Sequence, residues 1–206
     1  GSNLVIGDDG FPGTAVVIES SGYTFAADED GKPYVSADAG LEWDTLVAAT
    51  IDNGFGGLEC LSGIPGSTGA TPVQNVGAYG VEIKDVFVGL TALDRETGEL
   101  RDFALADCAF GYRDSVFKRN PGRWLILRVR FALSRTLHAH LDYGPVRQRL
   151  AEQGVTEPTA QAISDAICSI RREKLPDPAE LGNAGSFFKN PVVSAECVAR
   201  IRAQYP

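Results

Sequence analysis

The sequence predicts an α+β fold, with mixed but mostly antiparallel sheets and helices flanking them. Three observations carry this expectation. In the first third, short β-prone runs follow one another and are broken by turn-forming pairs of residues. Farther on, the segment Asp94 to Gly98 separates two β-prone runs as a hairpin turn would. Apolar residues at helical spacing are confined to a few stretches, the clearest around 41–53 and 159–172.

Taken in order, Leu4-Val5-Ile6, Thr14 to Ile18, Tyr23 to Ala26 and Pro33 to Ala37 are β-prone. Asp9-Gly10, Pro12-Gly13, Ser21-Gly22 and Asp30-Gly31 punctuate them. A helix is predicted from Leu41 to Asn53, with Trp43, Leu46, Val47, Thr50 and Ile51 on its apolar face and Gly54 placed to end it. Strands are expected over Val86 to Leu93, Glu99 to Leu105 and Trp124 to Leu133. A second helix spans Thr159 to Arg172, with Ile163, Ala166, Ile167 and Ile170 on one face and Arg171, Arg172 and Lys174 near its C-terminal end. Leu175-Pro176-Asp177-Pro178 reads as an extended linker, because proline pushes its predecessor out of the helical region. Ser194 is placed to cap a last helix that carries Cys197, Val198 and Ile201 inward.

Composition narrows the function. With 27 acidic and 19 basic residues in 206, the formal net charge is −8, so there is no basic excess to displace the counterions of a nucleic acid. A hydrophobic share of 44% and a charged share of 22% are those of a globular chain. No apolar run approaches the ~20 residues of a membrane span. Cys60, Cys108, Cys168 and Cys197 form no CxxC pair, so they are expected to be reduced, buried and structural. His138 and His140 have no accompanying Cys, Asp or Glu cluster, and no metal is expected there. The chain contains no methionine, which suggests a fragment, a processed product or an engineered piece.

Gly57 to Gly80 is dense in glycine, small residues and amides. Within it, Gly63-Ile64-Pro65-Gly66-Ser67-Thr68-Gly69-Ala70 is neither GxGxxG nor a P-loop, yet its glycines let backbone approach a phosphate and form an anion nest. Gln74 and Asn75 follow, with amides that both donate and accept, as the edge of a heteroaromatic ring requires. A tight loop packing two layers together is the alternative reading of the same residues.

The block GIPGSTGATPVQNVGAYG at 63–80 resembles the flavin-binding signature of the UDP-N-acetylenolpyruvoylglucosamine reductase (MurB) family. CAFGYRDSVFK at 108–118, KLPDP at 174–178 and GNAGSFFKNPVV at 182–193 continue the resemblance, and Gly1-Ser2-Asn3-Leu4-Val5 looks like the family's first flavin loop. The resemblance implies an FAD-binding region of the vanillyl-alcohol-oxidase type over 1–175, followed by the start of a small α+β substrate domain over 176–206. It implies reduction of UDP-N-acetylglucosamine enolpyruvate to UDP-N-acetylmuramate by a cytoplasmic, monomeric enzyme, with bound FAD and with NADPH as hydride donor.

By the same resemblance, the flavin contacts are Gly1, Ser2, Asn3, Leu4, Ile64, Pro65, Gly66, Ser67, Gly69, Ala70, Gln74, Asn75, Gly77, Ala78, Tyr79 and Gly80. Arg113 matches the family's arginine beside the substrate carboxylate, where an enolate-like charge develops. Otherwise Arg113 would form a surface ion pair with Asp114 or a similar acid. Ser186 matches the proton-donating serine. Tyr112, Tyr143, Lys174 and Asn190 match substrate-binding positions, Tyr143 in a loop that closes over substrate in one family subtype. No residue of this sequence matches the family's catalytic glutamate, which is expected beyond Pro206, so these residues alone are expected to turn over poorly. Two other readings of the same blocks are another flavin oxidoreductase on this scaffold and a non-catalytic flavin- or nucleotide-binding module.

Overall fold

The structure, a computed structural model, describes residues 4–142, 144–177, 180–182 and 188–205. β1 (Tyr23–Ala27) and β2 (Pro33–Asp38) pair antiparallel around the turn at Gly31, whose φ of +78° is one that glycine adopts without strain. β5 (Phe87–Asp94) and β6 (Leu100–Phe103) form the expected hairpin, in which the Gly98 N–H donates to Asp94 O at 2.8 Å. β7 (Trp124–Ala132) pairs antiparallel with both β2 and β5. The result is a five-stranded antiparallel sheet in the order β1-β2-β7-β5-β6. Two short strands, β3 (Gly77–Ala78) and β4 (Val81–Glu82), make a separate ribbon.

Alternation along the strands sends Val35, Ala37, Leu90, Ala92, Val129 and Phe131 to one buried face. Against it lies α1 (Trp43–Asp52), whose Trp43 ring meets Phe131 edge-on at 5.3 Å. The helix buries Trp43, Leu46, Val47 and Thr50 as its spacing predicts. α6 (Ala160–Lys174) buries Ile163, Ala166, Ile167 and Ile170 and packs on α5 (Gly144–Glu152) and on the 3₁₀ turn Glu59–Leu61. Arg149 ties the two helices together, donating from its guanidinium to Ser169 Oγ and to both Glu173 carboxylate oxygens. Short helices α2 (Ile83–Val86), α3 (Leu105–Cys108) and α4 (Val116–Arg119) bracket β5 and β6 in the chain.

Two expectations about elements need correction. The runs Leu4-Val5-Ile6 and Thr14 to Ile18 are not strands. Val5 and Val16 stand more than 80% exposed, because β-branched side chains favour a strand only where a neighbouring strand pairs with it, and none of the described residues does. Of the last helix's apolar face, α7 (Ala195–Gln204) buries nothing among the described residues: Val198 is half-buried and Ile201 exposed. Its cap is as expected, with Ser194 Oγ accepting from the Cys197 N–H.

The chain divides into two compact units, Gly1–Lys174 and Leu175–Pro206. The sheet, its ribbon and helices α1 to α6 belong to the first, and α7 to the second. Of the four cysteines expected to be buried, Cys60 and Cys108 are buried free thiols, each pushed up to about 12 first by burial and so protonated at neutral pH, whereas Cys168 and Cys197 are only half-buried.

Candidate cofactor and substrate site

The glycine-rich loop is held at several points by its neighbours in the first unit. The Trp43 indole donates to Leu61 O at 2.9 Å, the Trp43 N–H to Gly66 O at 2.9 Å, and the Gly63 N–H to Asp44 Oδ1 at 2.6 Å. From α6, Arg171 Nε donates to Gly63 O at 3.0 Å. Downstream, the Thr68 N–H reaches Leu41 O and the Gly69 N–H reaches Ala39 O, both at 2.8 Å. A Cβ on Gly69 would stand 2.5 Å from Ala39 Cβ, so only glycine permits this contact with the end of β2. The bonds through Gly66 O and the Thr68 N–H flank Ser67, while among the described residues no backbone oxygen takes the N–H of Gly66 or Ser67. Two adjacent open donors, with Gly66 at φ +119°, have the makings of an anion nest.

The second half of the loop interlocks with the 108–119 block. Asn75 is wholly buried in the left-handed region at φ +45°, donating from Nδ2 to Glu82 Oε2 (3.1 Å) and Gly111 O (3.0 Å) and accepting from the Lys84 N–H (3.0 Å). Ser115, also buried, donates to Val73 O at 2.5 Å and caps α4 by accepting from the Lys118 N–H. Arg113 sits at φ +53° in the turn closed by Gly111 and Asp114. Its guanidinium donates to Asn75 O (3.3 Å) and Gly77 O (2.5 Å) and lies 5.5 Å from the Tyr112 ring centre. Asp114 pairs with Arg119 rather than with Arg113, and Glu82 pairs with Lys84 at 2.7 Å. Among the described residues no carboxylate forms an ion pair with Arg113. Its guanidinium is oriented by neutral carbonyls rather than by a carboxylate.

A cleft of about 510 Å³ opens beside the loop. Ser67, Gly69, Ala70 and Gln74 line it, so four of the predicted flavin contacts come together. The opposite walls come from residues the sequence did not single out: Ile18, Ala39, Phe117, Lys118, Trp124 and Ile126. Phe117 and Lys118 lay inside the recognisable 108–118 block. Ala39, Trp124 and Ile126 are remote in sequence and converge through the strand order, while Ile18 comes from the irregular segment before β1.

The remaining predicted residues are distributed as follows. Leu4 is exposed in an irregular segment. Ile64 is half-buried and Pro65 exposed. Gly77 and Ala78 form β3, and Tyr79 (φ +49°) and Gly80 (φ +84°) make the tight turn to β4. Tyr112 is exposed beside Arg113, and Lys174 is exposed at the end of α6. Asn190 is exposed in the second unit. Gly1, Ser2, Asn3, Tyr143 and Ser186 lie outside the described residues.

A family profile described as an FAD binding domain matches residues 1–104, just over half of the chain. The chain belongs to the FAD-binding domain family. Among the curated proteins, UDP-N-acetylenolpyruvoylglucosamine reductases from Pseudomonas putida, Pseudomonas aeruginosa and an Azoarcus species are 72%, 55% and 51% identical to it over its whole length. The chain spans about 60% of the length of these relatives. The crystal structure of UDP-N-acetylenolpyruvylglucosamine reductase (MurB) from Thermus caldophilus aligns with 98% of this chain and 64% of its own, with a TM-score of 0.59 at 23% identity. That likeness speaks to the fold.

The residues of this FAD-binding domain fit FAD. The cleft is of the size that ligand pockets usually have, ~300–1,000 Å³. Its walls combine apolar and aromatic side chains with the Gln74 amide and the Lys118 ammonium. Within the loop the buried Thr68 Oγ1 has no hydrogen-bond partner among the described residues, between two residues, Ser67 and Gly69, that line the cleft. Open N–H groups at 66–67 suit the pyrophosphate, and the mixed wall suits a flat heteroaromatic ring.

Proposed function

We propose that the protein carrying this chain is a cytoplasmic, monomeric reductase of peptidoglycan precursor synthesis. It converts UDP-N-acetylglucosamine enolpyruvate, NADPH and a proton to UDP-N-acetylmuramate and NADP⁺. The names of its relatives and its FAD-binding domain support this reading. The observation that carries it is Arg113, a half-buried guanidinium oriented by two carbonyls of the cofactor loop and held in no ion pair among the described residues.

FAD held at the 63–80 loop, against Ser67, Gly69, Ala70 and Gln74, would supply hydride transfer between NADPH and the substrate. Addition at C3 of the enolpyruvyl group drives negative charge through C2 into the carboxylate. Arg113 holds that carboxylate and stabilises the charge as it grows, and its fixed position avoids reorganisation at the moment of reaction. Ser186 then gives the proton that C2 requires, so that one hydride and one proton together saturate the double bond. General acid catalysis of this kind contributes ~10²–10⁴-fold. Tyr112, Tyr143, Lys174 and Asn190 bind the substrate, a small anionic sugar nucleotide. Residues 1–175 serve the cofactor, and 176–206 begin a domain for the substrate. No helix among the described residues is long and apolar enough to cross a membrane, and a net charge of −8 disfavours nucleic acid as a partner.

Steady-state NADPH oxidation by the protein expressed from its complete reading frame tests the proposal. Oxidation is expected to require the enolpyruvyl sugar nucleotide, and Ser186→Ala is expected to slow turnover at least ~10²-fold. Substrate-independent oxidation, or full activity in Ser186→Ala, would overturn it.

A further inference from the structure

We propose that Asn75 is a positioning residue for Arg113, gripping the arginine at both of its ends, rather than a contact to the cofactor. Both N–H groups of its amide are spent, on Glu82 Oε2 and on Gly111 O, and its oxygen accepts from the Lys84 N–H. The residue is fully buried. Its side chain is therefore committed to protein partners.

Those partners lead to Arg113. Gly111 opens the turn in which Arg113 sits. The Gly111 N–H donates to Asp114 O at 3.0 Å and the Asp114 N–H returns to Gly111 O at 3.2 Å. The Gly111 carbonyl thus accepts from the turn and from Asn75 at once, and the amide fixes where the turn stands. The far end of Arg113 comes back to the same residue, because Nη1 donates to the Asn75 main-chain oxygen while Nη2 donates to Gly77 O two residues on. Side chain and main chain of Asn75 therefore define the two ends of the arginine's reach.

Both residues hold left-handed backbone, φ +45° for Asn75 and +53° for Arg113. Asparagine tolerates that region better than most residues, whereas arginine does so only where its surroundings impose it. The Asn75 bond to Gly111 O and the Ser115 bond to Val73 O supply that constraint. A misplacement of about 1 Å in a charge-stabilising group costs on the order of 10²-fold in rate.

The catalytic consequence rests on the role proposed for Arg113, but the positioning itself does not, and the experiment separates the two. Asn75→Gly keeps the left-handed backbone and removes the amide. Asn75→Asp keeps the shape but sets an acceptor against Gly111 O and the Glu82 carboxylate. In the protein from the complete reading frame, Asn75→Gly is expected to lower kcat about 10²-fold while FAD affinity stays within a few-fold. The pair Asn75→Gly with Arg113→Ala is expected to be no slower than Arg113→Ala alone. Asn75→Asp is expected to regain rate as the pH is lowered and its carboxyl takes a proton. ¹⁵N NMR of the Arg113 guanidinium is expected to show restricted Nη rotation in the parent and free rotation in Asn75→Gly.

Multiplicative rate losses in the double variant, or an Nη signal unchanged by Asn75→Gly, would overturn the positioning role. Should Arg113→Ala leave turnover intact while Asn75→Gly frees the guanidinium, the positioning stands and the reading of Arg113 as the carboxylate-binding residue falls.

Discussion

Gly69 shows how closely a single residue can bind a cofactor loop to its scaffold. Its N–H donates to Ala39 O, and a Cβ in its place would overlap Ala39 Cβ at 2.5 Å. Overpacking of this kind costs ~1–3 kcal/mol. Gly69→Ala is therefore expected to lower the thermal midpoint and to weaken FAD binding together, as calorimetry and a flavin titration would read. Asp94 offers a different residue-scale test. Hydrogen bonds from Arg123, and then from the Glu96 N–H, hold its carboxyl below the ordinary value of 3.8. A carboxyl depressed on folding contributes stability that is complete above its unfolded value and is lost as pH falls through the folded one. The difference in Tm between the parent and Asp94→Asn is thus expected to be largest near neutrality and to shrink below about pH 4.

Between elements, the loop that opens at Gly63 is clamped from two helices. Asp44 of α1 accepts the Gly63 N–H, and Arg171 of α6 donates to its carbonyl. Hydrogen bonds to charged groups are worth ~1.5–3 kcal/mol. Arg171→Leu is expected to weaken FAD binding roughly tenfold or more, about 1.4 kcal/mol. It leaves the buried face of α6 intact, so the far-UV spectrum should not change. An affinity equal to the parent's would show that the loop holds its shape without the clamp.

The same scale explains what the sequence could and could not disclose. Runs with turn residues at both ends and a paired neighbour, such as Pro33–Asp38, were legible to within a residue. Leu4 to Ile6 and Thr14 to Ile18 carry the same propensity without a partner among the described residues, and they stay irregular. The four-residue helices α2, α3 and α4 are too short for any periodicity to emerge. α5 is longer but buries only Val146 and Leu150, too sparse a pattern to stand out from its polar surroundings. In the site, the glycine-rich loop announced itself by composition. The walls supplied by Ala39, Trp124 and Ile126 could not, since they reach the cleft only through the placement of β7 between β2 and β5. Asn75 was visible as an amide, but its partners Gly111 and Glu82 were not.

For the molecule as a whole, the antiparallel sheet acts as a rigid floor of the first unit. From it the 63–80 loop and the 108–119 block converge on one cleft. FAD binding follows from the family and from that cleft, while the chemistry proposed above turns on Arg113. Rapid mixing of the reduced flavoprotein with the enolpyruvyl sugar nucleotide measures that step directly. Arg113→Ala is expected to slow flavin reoxidation ~10²–10³-fold, the usual loss when one charge-stabilising donor is removed. Reduction of the same variant by NADPH should proceed at the parent's rate. Reoxidation as fast in Arg113→Ala as in the parent would contradict the assignment.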